Sequence, residues 1–146
     1  MKKTDKPIIV EEIYQTSLKN VWKAITEPNQ MNQWFFEQIQ SFKAEEGFQT
    51  EFLVEVENRK FTHLWTIAEV KLHHKIKYQW RYREYPGDSF VTFELMEENK
   101  KTRLKLTAEV KEDFPGNIPE FKRESCVGGW NYFIKESLKN YLDTGK

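Results

Sequence analysis

The spacing of apolar positions changes twice along this chain. The run "PIIVEEIY" (7–14) is β-branched and predicts a first strand. Ser17 then offers an N-cap, and Leu18, Val21, Trp22 and Ile25 recur at helical spacing, which predicts a short helix. Pro28 suits the first turn of a second short helix, and the aromatic trio Trp34, Phe35 and Phe36 predicts that this helix ends against the body of the molecule. Over 42–110 the period becomes two. Phe48, Phe52, Val54 and Val56 mark one strand, "KFTHLWTIAEV" another, and "IKYQWRY" a third, in which Ile76, Tyr78, Trp80 and Tyr82 alternate with polar residues. Such strands are half-buried and antiparallel. Pro86-Gly87 predicts a type II turn. A hairpin follows, with Val91, Phe93 and Leu95 set against Leu104, Leu106 and Ala108 across a polar turn at 98–101.

The period returns to helical at the end. Asn117 and Glu120 have capping-box spacing, with Pro119 between them in a first turn. Val127, Trp130, Ile134, Leu138, Tyr141 and Leu142 then form one apolar stripe, and Gly145 stands where a helix end favours left-handed backbone. Gly128 and Gly129 interrupt this helix, each at about 1 kcal/mol relative to alanine. Two readings are open: close approach of the helix backbone to its surroundings, with Trp130 hanging into the adjoining space, or a kink that lets the helix follow the sheet. The order is therefore strand, two short helices, curled antiparallel sheet, long final helix. A straight helix cannot touch a strongly twisted sheet everywhere, so a gap between them is expected.

Composition adds one feature and removes several classes. Lysine plus arginine number 23 and aspartate plus glutamate 23, so no net field draws the chain to nucleic acid or an anionic membrane. One cysteine, Cys126, allows neither an internal disulfide nor a thiolate metal site and fits a reducing compartment. No window reaches the ~20 apolar residues of a membrane span, and the opening "MKKTDKPIIVEEIY" has too short an apolar run for a signal peptide, so a cytoplasmic location is expected. The 146 residues fit one domain, 1–146. Aromatic content is the outlier: 15% of residues are Phe, Tyr or Trp although only 38% are hydrophobic. Large flat side chains fill a core with few residues, and they also line pockets for apolar and aromatic ligands.

Four stretches, "VWKAITEPNQMNQWF", "AEVKLHHKIKYQWRY", "PGDSFVTFEL" and "GGWNYFIKESLKNYLDTG", cover nearly the whole chain in order. Together they resemble the SRPBCC (START and birch-pollen-allergen-like) superfamily, in the branch named after the activator of heat-shock-protein-90 ATPase. The resemblance implies an α+β helix-grip fold: a curved antiparallel β-sheet wrapped around a long C-terminal helix, with two short helices after the first strand. It also implies a cavity beneath that helix, which in the wider superfamily holds a lipid, sterol, polyketide or other hydrophobic molecule. Where many relatives carry a proline pair between the central strands, this chain has Leu72 and His73. The founding co-chaperone is similar in only one of its two domains, which leaves a chaperone partner as an alternative.

Catalytic candidates are few. His73 and His74 are adjacent, so they face opposite ways on a strand or lie exposed at a turn, and His63 has no acidic residue or cysteine at ligand spacing. Glu11, Glu12, Glu69 and Glu94 lie on predicted strands, and alternation sends Glu94 to the solvent face. Cys126 has no histidine partner nearby, which favours a small packing group over a nucleophile. No GxSxG, Walker, HExxH or dinucleotide motif is present. Arg81 and Arg83 alternate with aromatics and are expected to face water. The expected ligand-binding set is Trp34, Phe35, Phe52, Trp65, Tyr78, Trp80, Phe93, Trp130, Phe133 and Ile134, each of which also suits an ordinary core. The expectation is a binding protein for a small hydrophobic or aromatic molecule, without catalysis, cofactor, metal, nucleic acid or membrane insertion, as monomer or homodimer. The segment 111–121 is the expected lid. A cavity enzyme of cyclase, aromatase or hydrolase type and a protein-interaction module are the alternatives.

Overall fold

The computed structural model describes residues 1–144. Strand β1 (Ile8–Tyr14) leads into helices α1 (Leu18–Thr26) and α2 (Pro28–Trp34). Five strands follow: β2 (Gln49–Val56), β3 (Arg59–Lys71), β4 (Lys75–Tyr82), β5 (Asp88–Glu98) and β6 (Lys101–Glu112). They pair antiparallel in the order β1-β6-β5-β4-β3-β2, an open sheet with β1 and β2 at its edges. A 3₁₀ turn (Pro119–Phe121) precedes the C-terminal helix, which runs as α3 (Arg123–Asn131), a π-helical stretch (Tyr132–Ser137) and α4 (Leu138–Thr144). This is the expected helix-grip arrangement.

Local chemistry accounts for the elements. Ser17 Oγ accepts from the Asn20 N–H at 3.1 Å and caps α1, while Pro28 opens α2 where its missing N–H costs nothing. The β5–β6 register sets Val91 against Ala108, Phe93 against Leu106 and Leu95 against Leu104, as alternation predicts. Asn99 and Lys100 take the positive φ that this two-residue connection requires. On β4, Ile76, Tyr78 and Trp80 are buried and their neighbours are not. Glu94 lies opposite Lys105 on the other face. His73, at the Leu72-His73 turn, adopts φ 65°, and the turn closes through the His74 N–H to Lys71 O at 2.8 Å.

Two local expectations are revised, and one falls on residues that are not described. The β4–β5 connection bends over residues 83–85 instead of turning at Pro86-Gly87; Gly87 does take a positive φ of 124°, and the ring of Phe114 occupies the place of its missing Cβ. No capping box forms, because Glu120 turns to Arg59, accepting from Nε at 2.9 Å and Nη2 at 2.7 Å, and α3 begins without a side-chain cap. Gly145 lies outside the described residues.

The glycine pair is settled by space. A Cβ at Gly128 or Gly129 would meet nothing within 4 Å, so close backbone approach is not their reason. The helix changes winding just beyond them: the Tyr132 N–H reaches both Gly128 O and Gly129 O, and the π-helical stretch follows. Inside that stretch Ile134 O accepts a 2.6 Å hydrogen bond from the fully buried Tyr14 hydroxyl of β1. Ser137 Oγ donates to Trp34 O at 2.7 Å. The irregular turn is thus where β1 and α2 are tied to the helix. Trp130, Ile134, Leu138 and Leu142 are the buried members of the apolar stripe and join the same core as the inward rows of the sheet.

Candidate functional site

Between α3 and the sheet, near the β6–α3 connection, lies a cavity of about 180 Å³. Strand parity decides which sheet residues face it. On β4, Tyr82 continues the inward row of Ile76, Tyr78 and Trp80, and on β3, His63 continues that of Trp65 and Ile67. His63 and Tyr82 are direct partners in the β3–β4 register, with ring centroids 4.9 Å apart. Ser89 and Val91 of β5 extend this wall. The helix contributes Cys126, Gly129, Trp130 and Phe133, so the cavity opens where Gly129 has no side chain. Phe114 and Phe121 bound it on the side of the β6–α3 connection. That connection is tied to the N-terminal segment: the Phe114 N–H donates to Met1 O at 2.9 Å and the Lys3 N–H to Asp113 Oδ1 at 2.7 Å.

Most polar groups in the wall are already engaged. Ser89 Oγ donates to Trp80 O at 2.8 Å. The Cys126 thiol points at Glu120 O, 3.6 Å away, and burial pushes its pKa up, which keeps it protonated and a poor nucleophile. Glu120 is held by Arg59, which keeps its carboxyl below the usual range. His63 is 5% exposed, and burial brings its pKa down to about 4, so its imidazole is neutral at pH 7. Its Nδ1 lies 3.0 Å from Phe61 O; because a carbonyl only accepts, Nδ1 carries the proton. Tyr82 Oη accepts from Trp80 Nε1 at 2.8 Å. Among the described residues no cluster of His, Cys, Asp or Glu could hold a metal.

Of the ten residues expected at the site, Trp80, Trp130 and Phe133 line the cavity. Trp34, Phe35, Phe52, Trp65, Tyr78, Phe93 and Ile134 are buried in the adjoining core. Phe35 is their hub. Its ring stacks on Trp34 at 4.7 Å and meets Phe133 edge-on at 4.9 Å, with Trp65, Trp80, Phe93 and Trp130 also around it. The hub fills much of the space that a longer gap under the helix would leave. His63, Tyr82, Ser89, Cys126 and Gly129 join the wall without having been expected there. For His63 and Tyr82 the signal was available, since each shares parity with an expected residue two positions away. Glu11, Glu12 and Glu69 do not enter the cavity; Glu12 faces Lys135 and Lys139, and Glu69 faces Lys75 at 3.3 Å. Arg81 and Arg83 are exposed, as expected. No helix among the described residues is long and apolar enough to cross a membrane.

Comparison with known proteins agrees with this architecture. DynU16, a protein of the dynemicin biosynthetic locus, superposes with a TM-score of 0.74 at 20% identity over 97% of this chain, which spans only 49% of that protein. Protein CV1439 from Chromobacterium violaceum gives 0.74 at 21% identity, covering 94% of this chain and 96% of its own. The Aha1 dimer from Colwellia psychrerythraea gives 0.73 at 15% identity, covering 97% and 99%. At such identities the likeness speaks for the fold. No curated protein matches the chain. Residues 15–143 match the family described as Activator of Hsp90 ATPase homolog 1-like protein, and the chain belongs to that family.

Proposed function

We propose that the protein is a cytoplasmic carrier or sensor of a small hydrophobic or aromatic molecule, held without covalent chemistry between α3 and the sheet. The observation that carries this reading is the cavity walled by Trp80, Trp130, Phe133 and Phe121. Its size narrows the occupant. An engineered cavity of roughly 150 Å³ accepts benzene, whereas pockets for drug-sized ligands span roughly 300–1,000 Å³. A volume of about 180 Å³ therefore suits one ring or a compact pair of rings, and a lipid or sterol would need the core around Phe35 to give way. Segment 111–121 is the proposed way in, because it contributes Phe114, Glu120 and Phe121 to the wall from outside strand and α-helix. The absence of chemistry is supported by His63, whose Nδ1 is bonded to a backbone carbonyl and not to a carboxylate that would make it a stronger base.

The test is a panel of one- and two-ring aromatics followed by thermal unfolding and tryptophan emission. A ligand that binds only the folded state, present at 100 times its Kd, adds about 2.7 kcal/mol and raises the Tm. Emission should respond because Trp80 and Trp130 face the occupant. A panel that moves neither signal would remove the cavity from consideration as a binding site.

A further inference from the structure

We propose that His63 and Tyr82 read a hydroxyl group, so that the cavity selects a small neutral phenol or alcohol over hydrocarbons and carboxylates. This rests on the reading of the cavity as a ligand site and says what its occupant must carry. With the proton on Nδ1, His63 Nε2 keeps a lone pair and acts as an acceptor. Tyr82 Oη already accepts from Trp80 Nε1, and indole nitrogen only donates, so the hydroxyl proton of Tyr82 remains to be given. Among the described residues the imidazole bonds only to Phe61 O and the Tyr82 hydroxyl only to Trp80 Nε1. Both side chains line the cavity as cross-strand partners.

The two rings, 4.9 Å apart at their centroids, offer one acceptor and one donor, and together these match a hydroxyl, which donates and accepts at once. A methyl group of the same size leaves both protein groups unpaired in a largely apolar chamber. Sites that hydrogen-bond a ligand hydroxyl discriminate strongly against the analogue without it, for this reason. Anions are disfavoured for a separate cause. Among the described residues the cavity wall carries no lysine or arginine, Glu109 and Glu120 both border it, and the cationic group there, the Met1 α-ammonium, already donates to Phe121 O. Arg59, the nearest partner of Glu120, is already committed to that carboxylate. A carboxylate ligand would meet two carboxylates and a single cation that is already engaged.

Three one-ring probes test this on the intact protein by titration followed in NMR spectra: phenol, its near-isostere toluene, and benzoate. Toluene is the more hydrophobic of the first two, so apolar burial alone would rank it tighter. The expected order is phenol at least tenfold tighter than toluene, with benzoate not binding. Tyr82→Phe and His63→Phe should each bring the phenol to toluene ratio down to about one or below, while His63→Gln, which keeps an acceptor, retains most of the preference. Toluene binding as tightly as phenol to the unmodified protein would overturn the hydroxyl pair and leave the cavity reading standing. If neither probe shifts resonances of Trp80, Trp130 or Phe133, the cavity reading and the pair fall together. The probe comparison needs no variant, so a His63→Phe protein that failed to fold would not blunt the test.

Discussion

His63 shows how one residue can bind stability to pH. Its pKa is about 4 in the fold against an ordinary 6.5, chiefly because burial penalises the charged ring. Between those two values the unfolded chain binds a proton that the native state does not, so stability rises with pH across this window. The contribution is complete above pH 6.5 and is lost as pH falls toward 4. A shift of this size corresponds to about 3 kcal/mol at most. Unfolding in denaturant should therefore show a lower midpoint at pH 4.5 than at pH 7, and His63→Phe should flatten that part of the profile. An unchanged slope in the variant would place the dependence on carboxylates elsewhere. At this scale the sequence was only partly legible. Strand parity is a local property, and it already put His63 and Tyr82 on the row of Trp65 and Trp80. Their unmatched hydrogen-bonding capacity depends on which backbone carbonyl and which indole lie beside them, and that follows only from the packed strands.

At the scale of elements, the C-terminal helix carries two opposed features. The Tyr14 hydroxyl holds the π-helical stretch through Ile134 O, a fully buried hydrogen bond. Tyr14→Phe should cost about 1–3 kcal/mol, because the carbonyl stays buried without its donor. Amide exchange should also quicken over Tyr132–Ser137, and uniform destabilisation with no local change there would count against the tie. Gly128 works the other way. Since a Cβ there meets nothing within 4 Å, Gly128→Ala should stabilise by about 0.5–1 kcal/mol, read as a higher chemical-denaturation midpoint. A loss of stability would show that the helix needs the glycine backbone after all. Elements were the most readable level, because hairpin register and helix stripes are written in periods of two and 3.6. The capping-box expectation at Asn117 and Glu120 was sound locally, and it failed because a distant residue, Arg59, took the glutamate instead.

For the whole molecule, the aromatic residues divide between chamber and core, and Phe35 draws the line. Removing its ring should cost about 3–5 kcal/mol and enlarge the chamber. Phe35→Ala should then accept three-ring aromatics that the unmodified protein refuses, measured by thermal shift. If the variant folds and its ligand range is unchanged, Phe35 does not limit the space. The helix-grip order could be read from the chain, as could the expectation of a gap under the helix. The size of that gap could not, since it is the small remainder after many large rings have packed, and each ring suited core and pocket equally well by spacing.

The contact between Gly87 and Phe114 carries a consequence for kinetics. Because any side chain at position 87 would collide with the Phe114 ring, that ring rests against the β4–β5 connection, and its N–H is tied to Met1 O. Under the proposed way in, a molecule that enters or leaves past Phe114 meets these attachments. Residence time would then be governed by how Phe114 is held, while equilibrium preference is governed by His63 and Tyr82. The dwell and the choice of ligand could be altered separately.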